Sequence, residues 1–129
     1  MSTEQVVVQA LGAISAGEPE RFLAFLHDDV VYAISGNHPF SQKIRGKEAI
    51  GALMAQVGSA FEDGGPKYDV ERLIVSGDSA VVTFKGSGLL KNGKTYDNDY
   101  CMIFDFVDGR VARITEFFDS FHVMSVMAG

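Results

Sequence analysis

At 129 residues, 47% hydrophobic and 22% charged, the chain has the length and apolar content of one domain (residues 1–129) with one core, able to fold without disulfides or a metal. Eleven Lys and Arg against 17 Asp and Glu give a formal charge of −6 with no basic stripe, which argues against nucleic acid and against an acidic membrane as partners. The single cysteine, Cys101, can form no disulfide within the chain, and the first residues read as no signal peptide, so a reducing, cytoplasmic location is expected.

In chain order, Ser2 and Gln5 have the spacing of a capping box, and Val7, Ala10, Leu11 and Ile14 recur at helical intervals up to a stop at Gly17. Pro19 suits the first turn of a second helix, where its missing N–H costs nothing. Phe22, Phe25 and Leu26 give that helix an apolar side, and His27-Asp28-Asp29 ends it. Residues 30–34 read as a short strand and 35–45 as an irregular loop. A third helix is expected from 47 to about 61, with Ile50, Leu53, Met54, Val57 and Phe61 as its stripe.

The second half reads as four strands: 68–75, 80–90, 96–107, and 111 to about 122. Ser76-Gly77-Asp78, Asn92-Gly93 and Asp108-Gly109 are the turns between them, and such tight turns make an antiparallel meander. Gly86-Ser87-Gly88 lies inside a strand pattern and reads as a bend or bulge, not a phosphate loop. The fold class is therefore α+β: three N-terminal helices packed on a curled, mainly antiparallel sheet.

The segment Asn92-Gly93-Lys94-Thr95-Tyr96-Asp97-Asn98-Asp99-Tyr100-Cys101-Met102-Ile103-Phe104, followed by Asp108-Gly109-Arg110-Val111 and Glu116-Phe117-Phe118-Asp119-Ser120, resembles the SnoaL-like and ketosteroid-isomerase-related proteins of the nuclear transport factor 2-like superfamily. Arg45-Gly46-Lys47-Glu48-Ala49-Ile50 fits the same resemblance. It implies a cone-shaped, cystatin-like α+β barrel with an apolar pocket. It also implies a homodimer paired through the outer sheet face, where Ile103 and Val107 lie among acids. It does not fix an activity, since such relatives include isomerases, cyclases, epoxide hydrolases and proteins without a known reaction. Set against ketosteroid isomerases, the chain has Leu26 at the helical Tyr position, Ile34 or a neighbour at the base position, and Asn98 near the protonated Asp. Set against the epoxide hydrolases, Thr83 and Lys85 stand where an Arg and an Asp are used.

The strand 96–107 has two unlike faces. Even positions, Tyr96, Asn98, Tyr100, Met102, Phe104 and Phe106, suit a pocket wall or the core. Asn98, an amide among aromatics, must find a hydrogen bond, from a ligand or from a backbone partner. Asp119 follows Phe117-Phe118; a carboxylate beside rings loses solvation and suits acid–base work. By resemblance it also sits where relatives carry a catalytic Asp, although a cap on the turn at Ser120 reads equally well. Glu116 falls on the opposite face from Asp119 in an ideal strand, and the choice goes to Asp119. The expected catalytic set is Asp119, Asn98 and Tyr100. The expected ligand-binding set is Tyr32, His38, Phe22, Phe25, Met102, Phe104 and Phe117. The histidines show no metal-ligand spacing, so neither metal nor cofactor is expected.

Two functional readings remain. One is an isomerase, cyclase or hydratase moving a proton on a small apolar carbonyl compound without a cofactor. The other is a non-catalytic module for a small hydrophobic ligand. The apolar tail, residues 123–127, is expected over a pocket mouth or a partner.

Overall fold

A computed structural model describes residues 1–127. The capping box forms: the Gln5 N–H donates to Ser2 Oγ at 3.1 Å, and the Ser2 N–H donates to Gln5 Oε1 at 2.8 Å. It opens α1 (Thr3–Ser15), which ends before Gly17 at φ 71°. Pro19 starts α2 (Pro19–Ala24), which is shorter than the sequence predicts. Leu26 and the residues after it belong instead to β1 (Leu26–Ile34). The reason is non-local. Leu26 pairs with Val111, and the Val111 N–H donates to the Phe25 carbonyl at 3.0 Å, so a distant strand extends β1 backwards. A register shift between Leu26 and Val31 takes up His27-Asp28-Asp29.

Within the expected loop lies β2 (Gln42–Arg45), a short polar edge strand antiparallel to β1. The third helix, α3 (Lys47–Gly58), stops one turn early. The chain folds back there so closely that a Cβ on Gly58 would lie 2.5 Å from the Gly64 carbonyl oxygen. Phe61, expected on that helix, bridges to Leu90. The meander is as expected: β3 (Lys67–Ser76), β4 (Ser79–Leu89), β5 (Thr95–Val107) and β6 (Arg110–Phe118) pair antiparallel in sequence. Asp108 (φ 53°) and Gly109 (φ 77°) form the tight β5–β6 turn in left-handed backbone. The six strands run in the order β2-β1-β6-β5-β4-β3, with β1 parallel to β6. The curled sheet is covered by α1 on β3 and β4 and by α3 on β1 and β2.

The last strand ends at Phe118, not near His122, and α4 (Ser120–Met127) follows, a fourth helix. Asp119 Oδ1 accepts the His122 N–H at 3.2 Å, which caps this helix. The His122 ring accepts the Asp97 N–H through Nε2 at 2.9 Å, and Asn92 Nδ2 donates to the Val126 carbonyl at 2.8 Å, tying α4 to the β4–β5 hairpin. No helix among the described residues is long and apolar enough to cross a membrane.

Of the bend or bulge expected at Gly86-Ser87-Gly88, no bulge forms, since β4 stays in register with both neighbours there. These glycines make room for rings. A Cβ on Gly86 would lie 2.7 Å from Tyr100 Cε1 and 3.1 Å from Tyr68 Cε1. Gly86→Ala should therefore lower stability by about 1–3 kcal/mol through overpacking, read as a lower Tm. Gly12→Ala, exposed on α1 with nothing near its Cβ, should raise stability by about 0.5–1 kcal/mol. Equal Tm values for the two variants would show that the ring contact at Gly86 carries no strain.

Candidate functional site

Alternation along β6 points Ile114, Glu116 and Phe118 into the cone. Tyr32 reaches the same space from β1, Tyr68 from β3, and Tyr96 and Tyr100 from β5. All four tyrosines of the chain thus line one cavity of about 550 Å³. Phe22, Leu53, Met54 and Phe118 are among its apolar walls, and Val123 and Met127 of α4 close one side, as the tail composition suggests.

Glu116 is buried, and its Oε1 accepts the Tyr32 hydroxyl at 2.5 Å. No protein donor reaches its Oε2 among the described residues, yet neither oxygen is an orphan sealed from the cavity. Burial pushes the carboxyl up from 4.5 to about 7, and the Tyr32 hydrogen bond opposes part of that shift. Burial, and then the Glu116 charge, hold the Tyr32 and Tyr68 phenols well above their ordinary value. Tyr100 is raised by burial and then by its tyrosine neighbours, and Tyr96 by burial first. All four phenols are therefore hydrogen-bond donors at neutral pH.

Asn98 is buried behind this wall and does not line the cavity. Its Oδ1 accepts the Asp99 N–H at 2.8 Å, so its Nδ2 faces Tyr96 and donates to that hydroxyl at 3.0 Å. The Tyr96 and Tyr100 hydroxyls are hydrogen-bonded to each other. Of the two readings for Asn98, the structure gives the protein partner.

Asp119 requires a correction in placement: it is exposed, outside the cavity, and serves as the cap of α4. Phe117 is likewise 46% exposed on the outer face, with Phe118 inside in its place. A single irregularity explains both. Phe106 pairs with Val111 but Asp105 with Arg113, which leaves Ala112 as an extra residue on β6. The inward side is odd-numbered at Val111 and even-numbered from Ile114 on, so parity counted from Val111 would turn Phe117 inward, where Glu116 and Phe118 stand instead.

Of the residues singled out from sequence, Tyr32, Tyr100 and Phe22 line the cavity. Met102 and Phe104 are fully buried in the core beneath it, and Phe25 packs on that core from outside. His38 braces its own loop, with Nε2 donating to the Ser35 carbonyl at 3.0 Å and Nδ1 accepting the Phe40 N–H at 3.2 Å. Sequence reasoning missed Glu116, Tyr68 and Phe118. The alternation of Ile114, Glu116 and Phe118 was the signal available for two of them.

The raised carboxyl has a measurable consequence. The folded chain holds this proton more tightly than the unfolded chain, so stability is fullest at acid pH and falls as pH rises from 4.5 to about 7. Glu116→Gln lacks that loss. By urea unfolding it should exceed the parent by up to about 3 kcal/mol near pH 8, with the gap closing near pH 4. A gap independent of pH would mean that the carboxyl is not desolvated.

The sequence pattern of the SnoaL-like domain matches residues 7–114. No curated protein matches the chain in sequence. Among solved structures, a nuclear transport factor 2-like protein of unknown function from Burkholderia pseudomallei superposes with a TM-score of 0.88 at 19% identity, covering 100% of both chains. TerC, co-crystallised with polyporic acid, gives 0.83 at 19% identity over 97% of both chains. A protein of Jannaschia sp. CCS1, provisionally named a SnoaL-like polyketide cyclase, gives 0.79 at 21% identity over 100% of this chain and 96% of that one. At these identities the structures speak for the fold alone, a curled sheet with helices across it. The pattern matched over residues 7–114 adds the family, and the chain belongs to the SnoaL-like domain family.

Proposed function

We propose that the protein is an enzyme that moves a proton at a carbon beside a carbonyl in a small apolar compound, with no cofactor, as an isomerase, cyclase or hydratase does. The observation that carries this reading is Glu116: a buried carboxylate, titrating at about 7, with one oxygen turned to an apolar cavity. Removing a proton from carbon puts negative charge on the carbonyl oxygen, which needs a donor.

Proton counting supplies one. Asn98 donates to Tyr96, so it takes none of the phenolic protons. Tyr96 and Tyr100 use one hydroxyl hydrogen between them. Tyr68 adjoins Tyr100 as a further hydrogen-bond partner, so three phenolic hydrogens serve two contacts among Tyr68, Tyr96 and Tyr100, and the third is left to face the cavity that all three line. In this reading Glu116 is the base in place of Asp119, the tyrosine cluster meets the oxyanion, and Asn98 is a positioning residue acting through Tyr96. The provisional cyclase name of one relative and the polyporic acid bound to another support an oxygenated, apolar substrate.

The test is exchange of carbon-bound hydrogen for deuterium in a panel of apolar ketones, followed by NMR. Exchange should rise with pH through about 7 as Glu116 ionises, then level off. Glu116→Gln should cut it by about a hundredfold or more. Tyr100→Phe should cut it by about ten- to a thousandfold. Asp119→Asn should leave it unchanged. Full activity in Glu116→Gln would remove the proposed base, and tight binding with no exchange anywhere in the panel would leave the binding-module reading.

The same reading includes a homodimer through the outer sheet face. There Ile74, Val81 and Ile103 form a cross-strand apolar row, and Ile74 is 52% exposed. Gel filtration at micromolar concentration should give twice the chain mass, and a monomer would overturn the pairing.

A further inference from the structure

We propose that this cavity binds organic ammonium ions, a tertiary or quaternary ammonium on an apolar body, with the charge seated between Glu116 and the tyrosine rings. The inference uses the site of the proton-transfer reading but not its reaction, and it stands or falls separately.

It starts from charge. Glu116 is the only buried carboxylic acid among the described residues, and Oε2 has no protein donor among them. Among the described residues the one cationic side chain on the cavity wall is Lys91, which is exposed, as is Glu62 on the same wall. Among the described residues no cationic group within the cavity balances an anionic ligand, and a carboxylate is already there to repel one. Within the cavity the groups facing Glu116 are Tyr32 from β1, Tyr68 from β3, and Tyr96 and Tyr100 from β5, all neutral donors. The helices contribute apolar side chains, Leu53 and Met54 from α3 and Val123 and Met127 from α4.

Ring geometry adds to the charge. Tyr100 lies 5.5 Å from Tyr68 and 5.8 Å from Phe118, centroid to centroid, with interplanar angles of 61° and 60°. Phe84 stacks on one face of Tyr100 at 4.9 Å and 3°, while Tyr68, Tyr100 and Phe118 all belong to the cavity wall, so tilted rings border the space an ammonium would occupy. A desolvated ammonium beside aromatic faces gains cation–π attraction. The usual penalty for a buried ion pair is the desolvation of both partners. Here the carboxylate is desolvated by folding, so the ligand brings only its own cost. A bulky alkylammonium, whose charge is spread over apolar groups, keeps that cost low.

Cation binding selects the ionised carboxylate, so below about pH 7 it must release the Glu116 proton. The probe is benzyltrimethylammonium, whose charge does not titrate. Its control is neopentylbenzene, in which a carbon replaces the nitrogen in the same shape. Calorimetric or NMR titration should show the cation binding about tenfold or more tighter than the control near pH 8. Its affinity should fall by about a hundredfold from pH 8 to pH 5, while the control stays flat. Glu116→Gln should erase both the preference and the pH dependence. Equal affinity for the two probes, or a pH-independent cation affinity in the unmodified chain, would overturn the proposal even if the variant failed to fold. Cation indifference with ketone exchange intact would sink this inference alone, and cation binding without exchange would sink only the catalytic one.

Discussion

Taking the Glu116 carboxyl out of water costs free energy, and the surrounding architecture is organised by how that cost is met. The Tyr32 hydroxyl offsets part of it from the neighbouring strand, which requires β1 to lie beside β6. That contact crosses the single parallel pairing in an otherwise antiparallel sheet, between residues 84 positions apart. The backbone asks for the same arrangement. Leu26, Val30 and Ile114 are fully buried along this seam, so hydrophobic burial fixes the register that sets the polar contact. The carboxylate is held by a core that would assemble without it, which is how a chain keeps a destabilising group at a chosen spot.

The tyrosine wall follows a related logic. Phenols buried this deeply need partners, and they find them in one another and in Asn98. Asn98 is held by the backbone N–H of the next residue, so its amide can point only one way. Room for the rings comes from residues that have no side chain, Gly86 beneath Tyr68 and Tyr100, and Gly88 beneath Phe61. Polar orientation and aromatic packing are thus fixed from behind the cavity, while its interior is left open.

The resemblance drawn from sequence assigns the base position to Ile34 or a neighbour, which removes the base if position is taken literally. Ile34 pairs with Glu116 across the β1–β6 ladder. The carboxylate therefore enters the same cavity one strand over.

Local chemistry in the sequence determined a good deal. The Ser2–Gln5 cap, Pro19, the left-handed Asp108-Gly109 turn and the alternation of β5 each act within a few residues, and each appears as read. They suffice for an α+β chain with a four-strand meander, and they place Tyr100 on the inner face. Tertiary structure decided what depends on distant partners. Val111 pulled Leu26 out of a helix and into a strand, and the returning chain at Gly64 ended α3 early. Ala112, an extra residue visible only once β6 is paired with β5, reversed the parity and exchanged Asp119 for Glu116. A one-residue bulge costs little and leaves no mark in composition, yet it turns every later side chain on the strand to the other face. Which carboxylate met the cavity was therefore set by the hydrogen-bond ladder, and the alternation of Ile114, Glu116 and Phe118 was its one trace in β6 itself.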